Sequence, residues 1–207
     1  MHLNTISSST EPLDMTTTEE FTSLLQSAVD LGISHVPNVR YLSCHTVVNH
    51  TRLHYLEWGD PAAPPLLLLH GGNQSAHSWD LVSLHLADRY HIYALDHRGH
   101  GDSEWVRDAE YGPEPMARDA LAFIHQHGIE KPVVFGHSMG GRVTLTLALS
   151  EPNTPEALVV VDTGPEVSGE GAEVIGNFIA SNVEFDNLDE FLERVVAYDP
   201  YRSRDHM

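Results

Sequence analysis

Apolar and polar positions along the chain change in a rhythm that predicts alternating strands and helices. Two strand-like stretches, 41–48 and 53–58, flank a polar turn around Asn49 and predict a hairpin. A continuous apolar run at 65–70 is typical of a strand buried within a parallel sheet. The elements predicted after it are strands at 91–96, 133–136 and 158–162 and helices at 76–88, from Pro115 to Gly128, and at 139–149. This order predicts an α/β fold, a mostly parallel doubly wound sheet covered by helices on both faces.

The two ends of the chain differ from this central pattern. Near the N-terminus, Thr17 and Glu20 have the spacing of a helix-capping box, apolar residues follow at helical spacing, and Gly32 is a stop signal. We therefore predict an N-terminal extension with one helix at 1–39 and a core at 40–165. From 166 to 207 the chain is strongly acidic, with helical patterns at 174–179 and 188–196, which predicts a partial helical cap or lid.

Charge and composition narrow the classes of partner and compartment. Thirty acidic residues against eleven Lys and Arg give a net charge of −19, which repels nucleic-acid phosphates and anionic lipid, so neither nucleic acid nor membrane is expected as a partner. A single cysteine, Cys44, excludes an internal disulfide and fits a reducing compartment. The N-terminus carries no pattern of a secretory signal, so we expect a cytoplasmic protein.

Candidate chemistry is concentrated in the segment from Gly136 to Gly140, which reads G-x-S-x-G around Ser138. The segment lies between a β-rich run and a helix-forming run, where a sharp turn presents the serine oxygen at a helix N-terminus. The helix dipole there favours developing negative charge. This context indicates that Ser138 is a nucleophile rather than part of a plain glycine-rich turn.

A second glycine-rich segment, His70-Gly71-Gly72-Asn73, follows the third apolar strand. In a nucleophile elbow, one oxyanion donor is the N–H of the residue after the serine and the other comes from such a loop, which indicates Met139 and Gly72. His70 is expected to brace the loop rather than to act as a base. The residues expected to line the substrate pocket are His70, Gly71, Asn73 and His137.

Together, three segments in order make the chain resemble the α/β-hydrolase superfamily, in the serine-nucleophile branch of lipases, esterases and epoxide-hydrolase-like proteins with a helical cap. They are 69–72 (LHGG), 96–103 (DHRGHGDS) and 136–141 (GHSMGG). The resemblance covers roughly residues 40–165. It implies hydrolysis of a small ester or related acyl substrate through an acyl-enzyme on Ser138.

The same resemblance implies that the catalytic triad is incomplete. In this superfamily the order along the chain is Ser, then Asp or Glu, then His, with the histidine after the last strand. Asp162 is the candidate acid, although some relatives carry the acid one strand later, and a loop-capping role is the alternative. The chain ends within the expected cap, so we predict a truncated protein that lacks the last strands and has impaired activity. An unpaired sheet edge then favours self-association.

Alternatives from other classes stay open at this point. An inactive fragment acting as a binding or regulatory module fits the same sequence, as does C–C hydrolysis or perhydrolysis on the same scaffold. No cofactor is expected. No metal is expected either, because the spacing of His97, His100 and Asp102 does not match a metallohydrolase pattern and no separate ligand cluster accompanies it.

Overall fold

The computed structural model describes residues 11–107, 109–164 and 186–198. By contacts between Cα atoms the chain divides into two compact units, Met1–Pro165 and Glu166–Met207. Each unit is described by itself. The separate N-terminal extension and the role of 166–207 as a lid stay predictions.

A seven-stranded sheet organises the first unit. The strands are β1 (Leu13–Asp14), β2 (Tyr41–Val48), β3 (Thr51–Trp58), β4 (Pro65–Leu69), β5 (His91–Leu95), β6 (Val133–His137) and β7 (Ala157–Val161). Their spatial order is β1-β2-β3-β5-β4-β6-β7. Pairing is antiparallel from β1 through β3 to β5 and parallel among β5, β4, β6 and β7. The predicted α/β sheet is confirmed, with the parallel part supplied by the buried apolar strands.

The predicted hairpin is confirmed, although its second strand starts two residues earlier than expected, at Thr51 rather than Leu53. Asn49 and His50 form a two-residue turn in which both residues have positive φ, 48° and 62°. Two left-handed residues match the right-handed twist of the strands, and Asn tolerates this conformation well. The turn sets the register in which Val48 lies opposite Thr51.

Helices cover both faces of the sheet. They are α1 (Glu19–Asp30), α2 (Asp80–Leu86), α3 (Pro113–Gln126) and α4 (Met139–Ser150), and a 3-10 turn at Ala76–Trp79 precedes α2. The side chains of β4 alternate between two cores, as the two-residue period of a strand requires. Leu67 and Leu69 pack in the core that contains residues of α3 and α4. Leu66 and Leu68 pack in the core that contains residues of α1 and α2.

Two predicted helix starts are wrong in detail. The cap of α1 is Thr18, whose side chain accepts a hydrogen bond from the N–H of Phe21, because Thr17 is already taken up in a 3-10 turn. Helix α3 begins at Pro113 rather than Pro115, since proline fits the first helical position, where no N–H bond is needed. The expected stop at Gly32 is confirmed by its φ of 67° just beyond α1.

The last strand of the described sheet, β7, pairs with β6 and keeps its apolar side chains accessible. Leu158, Val159 and Val161 are 39% to 40% exposed, in contrast to the buried leucines of β4. An exposed apolar edge strand is a template for further pairing. The predicted self-association through this edge stays a prediction.

The described part of the second unit is one helix, α5 (Leu188–Tyr198). Its start is capped by Asn187, whose side chain accepts from the N–H of Glu190, while Glu190 accepts from the N–H of Asp186. The helix predicted at 188–196 is therefore confirmed, and the one predicted at 174–179 lies outside the described residues. Across the described residues, no helix is both long and apolar enough to cross a bilayer.

Candidate active site

Ser138 occupies the sharp turn between β6 and α4, as the sequence predicts. Its backbone has φ 50° and ψ −112°, a conformation that L-residues rarely adopt and that costs on the order of 1–3 kcal/mol. Its N–H donates to the carbonyl of Val161 at 2.8 Å, which ties the turn to the end of β7. The residue remains partly exposed. A nucleophilic serine is required to have this geometry: a strained backbone at the end of a strand and a side chain open to solvent.

The glycines on either side of Ser138 allow the surrounding backbone to approach closely. A Cβ atom on Gly136 would lie 2.2 Å from the carbonyl oxygen of Gly140, and one on Gly140 would lie 2.1 Å from that of Leu69. Such distances are far inside van der Waals contact. The glycines therefore set α4 directly against the ends of β6 and β4, which brings Ser138 beside the loop after β4.

In that loop the N–H groups of the two glycines differ in their hydrogen bonding. Gly71 is buried and its N–H donates to Oε1 of Gln74 at 2.9 Å. Gly72 is exposed, and within the described residues neither its N–H nor that of Met139, the first residue of α4, is used by a protein acceptor. Of the two loop amides, the one at Gly72 is therefore the candidate for contact with a ligand. Gln74, which sequence reasoning missed, holds the loop in this arrangement.

His70 lies beneath the loop and is fully buried. Its Nδ1 is 2.7 Å from the carbonyl of Gly71, and its Nε2 accepts the N–H of His97 at 3.1 Å, so the ring is a neutral tautomer that donates through Nδ1. Burial lowers the pKa of His70 to about 4, against a smaller opposing effect of the bond to Gly71. With both nitrogens occupied, His70 braces the loop. Its predicted contact with substrate stays a prediction.

Because it contains buried histidines, the protein is expected to lose stability in mild acid. Burial lowers the pKa of His70 to about 4, and that of His97 well below 6.5, so unfolding between pH 6.5 and about 4 takes up protons. Stability from these residues is complete above pH 6.5 and is lost as the pH falls, by up to about 1.4 kcal/mol per pH unit for each histidine. His77 acts in the opposite sense, because the hydrogen bond that it donates to Asp80 raises its pKa.

Urea unfolding at a series of pH values measures this effect. The free energy of unfolding should fall from pH 6.5 to 4 in the wild type and fall less steeply in His70→Gln, which carries no titratable group at that position. Equal slopes for the two proteins would contradict the assignment of a neutral buried His70.

His137 and Asp162 lie beside Ser138 at the ends of β6 and β7. The Nε2 atom of His137 is 3.7 Å from Oδ2 of Asp162, and its Nδ1 is 3.3 Å from Oε1 of Gln74. Asp162 has a positive φ of 57° and its side chain is 77% exposed. The structure thus brings together Ser138, His137, Asp162 and the loop after β4. Asn73, with φ 57°, lies on the exposed side of that loop.

Asp96, at the end of β5, is a buried centre of hydrogen bonding that sequence reasoning did not single out. Its carboxylate accepts from Nδ1 of His54 at 2.7 Å, from the N–H of Ala76 at 2.6 Å and from the N–H of Asp102 at 3.1 Å. Burial alone would raise the pKa of Asp96, but these hydrogen bonds outweigh it and lower the pKa. The bonds tie the loop after β4 and the turn after β5 to the N-terminal hairpin. The only signal in the sequence was an aspartate placed between an apolar strand and a glycine-rich turn.

Several histidine rings of the described residues are hydrogen-bonded at sites other than Ser138, whereas Nε2 of His97 is buried with no hydrogen-bond partner in this part of the chain. No hydrogen bond in this part of the chain joins Oγ of Ser138 to a histidine, and His137, the nearest in sequence, faces Gln74 and Asp162. Within the same residues, no three His, Cys, Asp or Glu side chains form a group that could hold a metal ion. The described arrangement supplies a candidate nucleophile, candidate oxyanion amides and a carboxylate.

Comparison with known proteins agrees with this geometry. A family model described as alpha/beta hydrolase fold matches residues 64–200. A 3-hydroxybutyrate-oligomer hydrolase of Cupriavidus necator is 32% identical over 162 residues, which cover 77% of this chain and 55% of that protein. An esterase of Mycobacterium tuberculosis is 28% identical over 196 residues, which cover 91% of this chain and 63% of the esterase.

Solved structures give the same result. A structure of the M. tuberculosis esterase matches with a TM-score of 0.73 and 28% identity, over 91% of this chain and 64% of that one. An alpha/beta hydrolase of Novosphingobium aromaticivorans matches with a TM-score of 0.72 and 30% identity, over 80% of this chain and 60% of that one. The chain therefore spans less than two thirds of the length of the relatives it matches.

Proposed function

This chain belongs to the alpha/beta hydrolase family, and we propose that it cleaves a small carboxylic ester or related acyl bond through an acyl-enzyme on Ser138. The observation that carries the proposal is the strained, partly exposed Ser138 at the N-terminus of α4, next to a loop with a free amide at Gly72. Strain of this kind is characteristic of a nucleophile elbow.

In the proposed reaction, Oγ of Ser138 attacks the carbonyl carbon of the ester and its proton passes to a base. The N–H groups of Met139 and Gly72 hold the oxyanion, and each such donor contributes about 2.7–4 kcal/mol to transition-state stabilisation. The alcohol leaves with a proton, and water then hydrolyses the acyl group from Ser138. Gly72 is the better loop donor than Gly71, because the N–H of Gly71 is already bonded to Gln74.

Asp162 is the proposed triad acid. Its position at the end of β7, next to the strand that leads into Ser138, supports this role. Its exposed carboxylate is available to a further partner, since the ion pair with His137 is long at 3.7 Å. In the chain order Ser, acid, His, the histidine base comes after Asp162. Because no histidine of the described residues is hydrogen-bonded to Oγ of Ser138, we propose that the 207 residues by themselves hydrolyse esters slowly.

The names of the relatives support an ester as the class of substrate. One is named a hydrolase of 3-hydroxybutyrate oligomers and another an esterase. Relatives named as diacylglycerol lipase and N-formylmaleamate deformylase widen the range to lipid esters and a formyl amide. The common chemistry is transfer of an acyl group to water, which is the chemistry proposed here.

Hydrolysis of p-nitrophenyl butyrate by the purified 207-residue chain tests the proposal. We expect slow turnover, about 10³- to 10⁴-fold over the uncatalysed reaction, because this much survives the loss of a triad member. The rate alone does not test Ser138, because the catalysis that survives loss of a triad member comes from the oxyanion donors and binding. Mass mapping after incubation with the ester should therefore find a butyryl group on Ser138, and none at that position in Ser138→Ala. The matched control is Ser150→Ala, at the exposed far end of the same helix, where the hydroxyl only donates to the carbonyl of Thr146.

Each outcome decides a different part of the proposal. Absence of a butyryl group on Ser138 would remove Ser138 as the nucleophile and favour a binding module. Turnover many orders of magnitude above the expected range, and dependent on Ser138, would instead contradict the proposed impairment.

A further inference from the structure

A second serine in this chain contacts a histidine that is itself bonded to an aspartate. Oγ of Ser43 is 2.9 Å from Nε2 of His54, and Nδ1 of His54 is 2.7 Å from Oδ2 of Asp96. The three residues come from β2, β3 and the end of β5, which are neighbours in the sheet. The array therefore results from the pairing of neighbouring strands, and Ser138 is not part of it.

The direction of the hydrogen bonds follows from the charge on Asp96. Its carboxylate accepts three bonds, two of them from backbone N–H groups, and hydrogen bonds to the charged form favour ionisation. An ionised carboxylate only accepts, so Nδ1 of His54 is the donor to it. In the neutral ring, Nε2 then carries the lone pair that accepts the hydroxyl proton of Ser43. This is the tautomer that a serine–histidine–aspartate array requires.

Burial differs along the array. The side chains of His54 and Asp96 are each 1% exposed, so water competes little for their bond. Of the three residues, Ser43 is the one that is partly exposed. Four strand spacings separate β2 from β6 in the sheet order, which places Ser43 about 19 Å from the strand of Ser138 at roughly 4.8 Å per spacing. The two serines cannot share one substrate carbonyl.

We propose that Ser43 is a second activated serine, which uses His54 as base and Asp96 to orient it, and which reacts with activated acyl or phosphonyl electrophiles. With an alkyl fluorophosphonate, Oγ of Ser43 bonds to phosphorus, the P–F bond breaks, fluoride leaves with the bonding pair, and the serine proton passes to Nε2 of His54. Leaving groups such as fluoride or p-nitrophenolate depart without protonation. The reaction therefore requires only a nucleophile and its base.

Labelling with an alkyl fluorophosphonate, followed by mass mapping of the labelled peptide, tests the proposal in Ser138→Ala. We expect phosphonyl label on Ser43 and its loss in the double variant Ser138→Ala/Ser43→Ala. The internal control is Ser34, whose hydroxyl is 3.3 Å from Nδ1 of His85, although that nitrogen is also 2.8 Å from the carbonyl of Ser34. No carboxylate bonds to His85 among the described residues, so Ser34 has a histidine neighbour without an orienting acid.

Ser43 should be labelled at least about 100-fold faster than Ser34, because a positioned base contributes about 10²- to 10⁴-fold. His54→Gln in the Ser138→Ala background should lower the Ser43 rate by a similar factor, with circular dichroism to show that the variant is folded. Absence of label at Ser43 in Ser138→Ala, or labelling no faster than at Ser34, overturns the proposal without recourse to the His54 variant. Because the label is mapped to a peptide, this result is independent of whether Ser138 hydrolyses esters.

Discussion

Replacing Gly140 with alanine is expected to destabilise the protein by about 3 kcal/mol or more, a large part of the 5–15 kcal/mol typical of a domain. Gly140 is the second residue of α4, where alanine would ordinarily stabilise the helix by about 1 kcal/mol. At this position, packing makes the substitution by alanine destabilising instead. The new Cβ would lie 2.1 Å from the carbonyl oxygen of Leu69 and 2.6 Å from that of His70, and these are backbone atoms that cannot rotate away.

Gly72→Ala is the matched control, because it makes the same substitution in the adjoining loop with no atom within 4 Å of the new Cβ. Urea denaturation monitored by tryptophan fluorescence should show a large drop in midpoint for Gly140→Ala and a change within about 0.5 kcal/mol for Gly72→Ala. Similar midpoints for the two variants would mean that α4 does not approach β4 as closely as the structure has it.

Replacing Asp119 with alanine is expected to destabilise the protein by about 3–5 kcal/mol, the usual effect of removing one partner from a buried ion pair. The Asp119 carboxylate accepts from Nε of Arg98 at 2.6 Å and from its Nη2 at 2.9 Å, a two-pronged pairing. The side chains are 7% and 3% exposed. Asn49 at the hairpin turn donates to the same carboxylate at 3.0 Å. The substitution therefore loosens α3, the turn after β5 and the hairpin together.

Arg118→Ala, one residue earlier on the same helix, is the control. Arg118 forms an ion pair with Glu110 at 3.3 Å, but the side chains are 64% and 57% exposed, and surface pairs contribute about 0–1 kcal/mol. Thermal and urea unfolding of the two variants should therefore differ by several kcal/mol. A small loss for Asp119→Ala, equal to that for Arg118→Ala, would show that the buried pair does not hold these segments together.

The secondary structure was predictable wherever a local pattern was strong. The apolar run of β4, the Asn49 turn and the helix after Ser138 were all found within one or two residues. Errors occurred at helix starts, where Thr17 and Thr18, or Pro113 and Pro115, offer equivalent local signals. For α1 the choice depended on the 3-10 turn at Met15–Thr17 that precedes the helix.

The candidate site was predictable only in part. The spacing of Gly136, Ser138 and Gly140 identified the elbow, because a turn that tight needs small residues in a fixed order. The sequence indicated Gly72 as the loop donor, and this stays a prediction; the bond between the N–H of Gly71 and the side chain of Gln74 was not foreseen. No local pattern indicated that bond.

By itself the sequence determined the class of sheet, the position of the sharp turn at Ser138 and the two glycine-rich loops, because each of these depends on residues close together in the chain. Only the tertiary structure decided which histidines of the described residues meet carboxylates. His54 and Asp96 are 42 residues apart and meet because β3 lies beside β5 with a particular register. Hydrophobic periodicity predicts which face of a strand is buried, but the neighbour across the sheet depends on strand order, which periodicity does not encode.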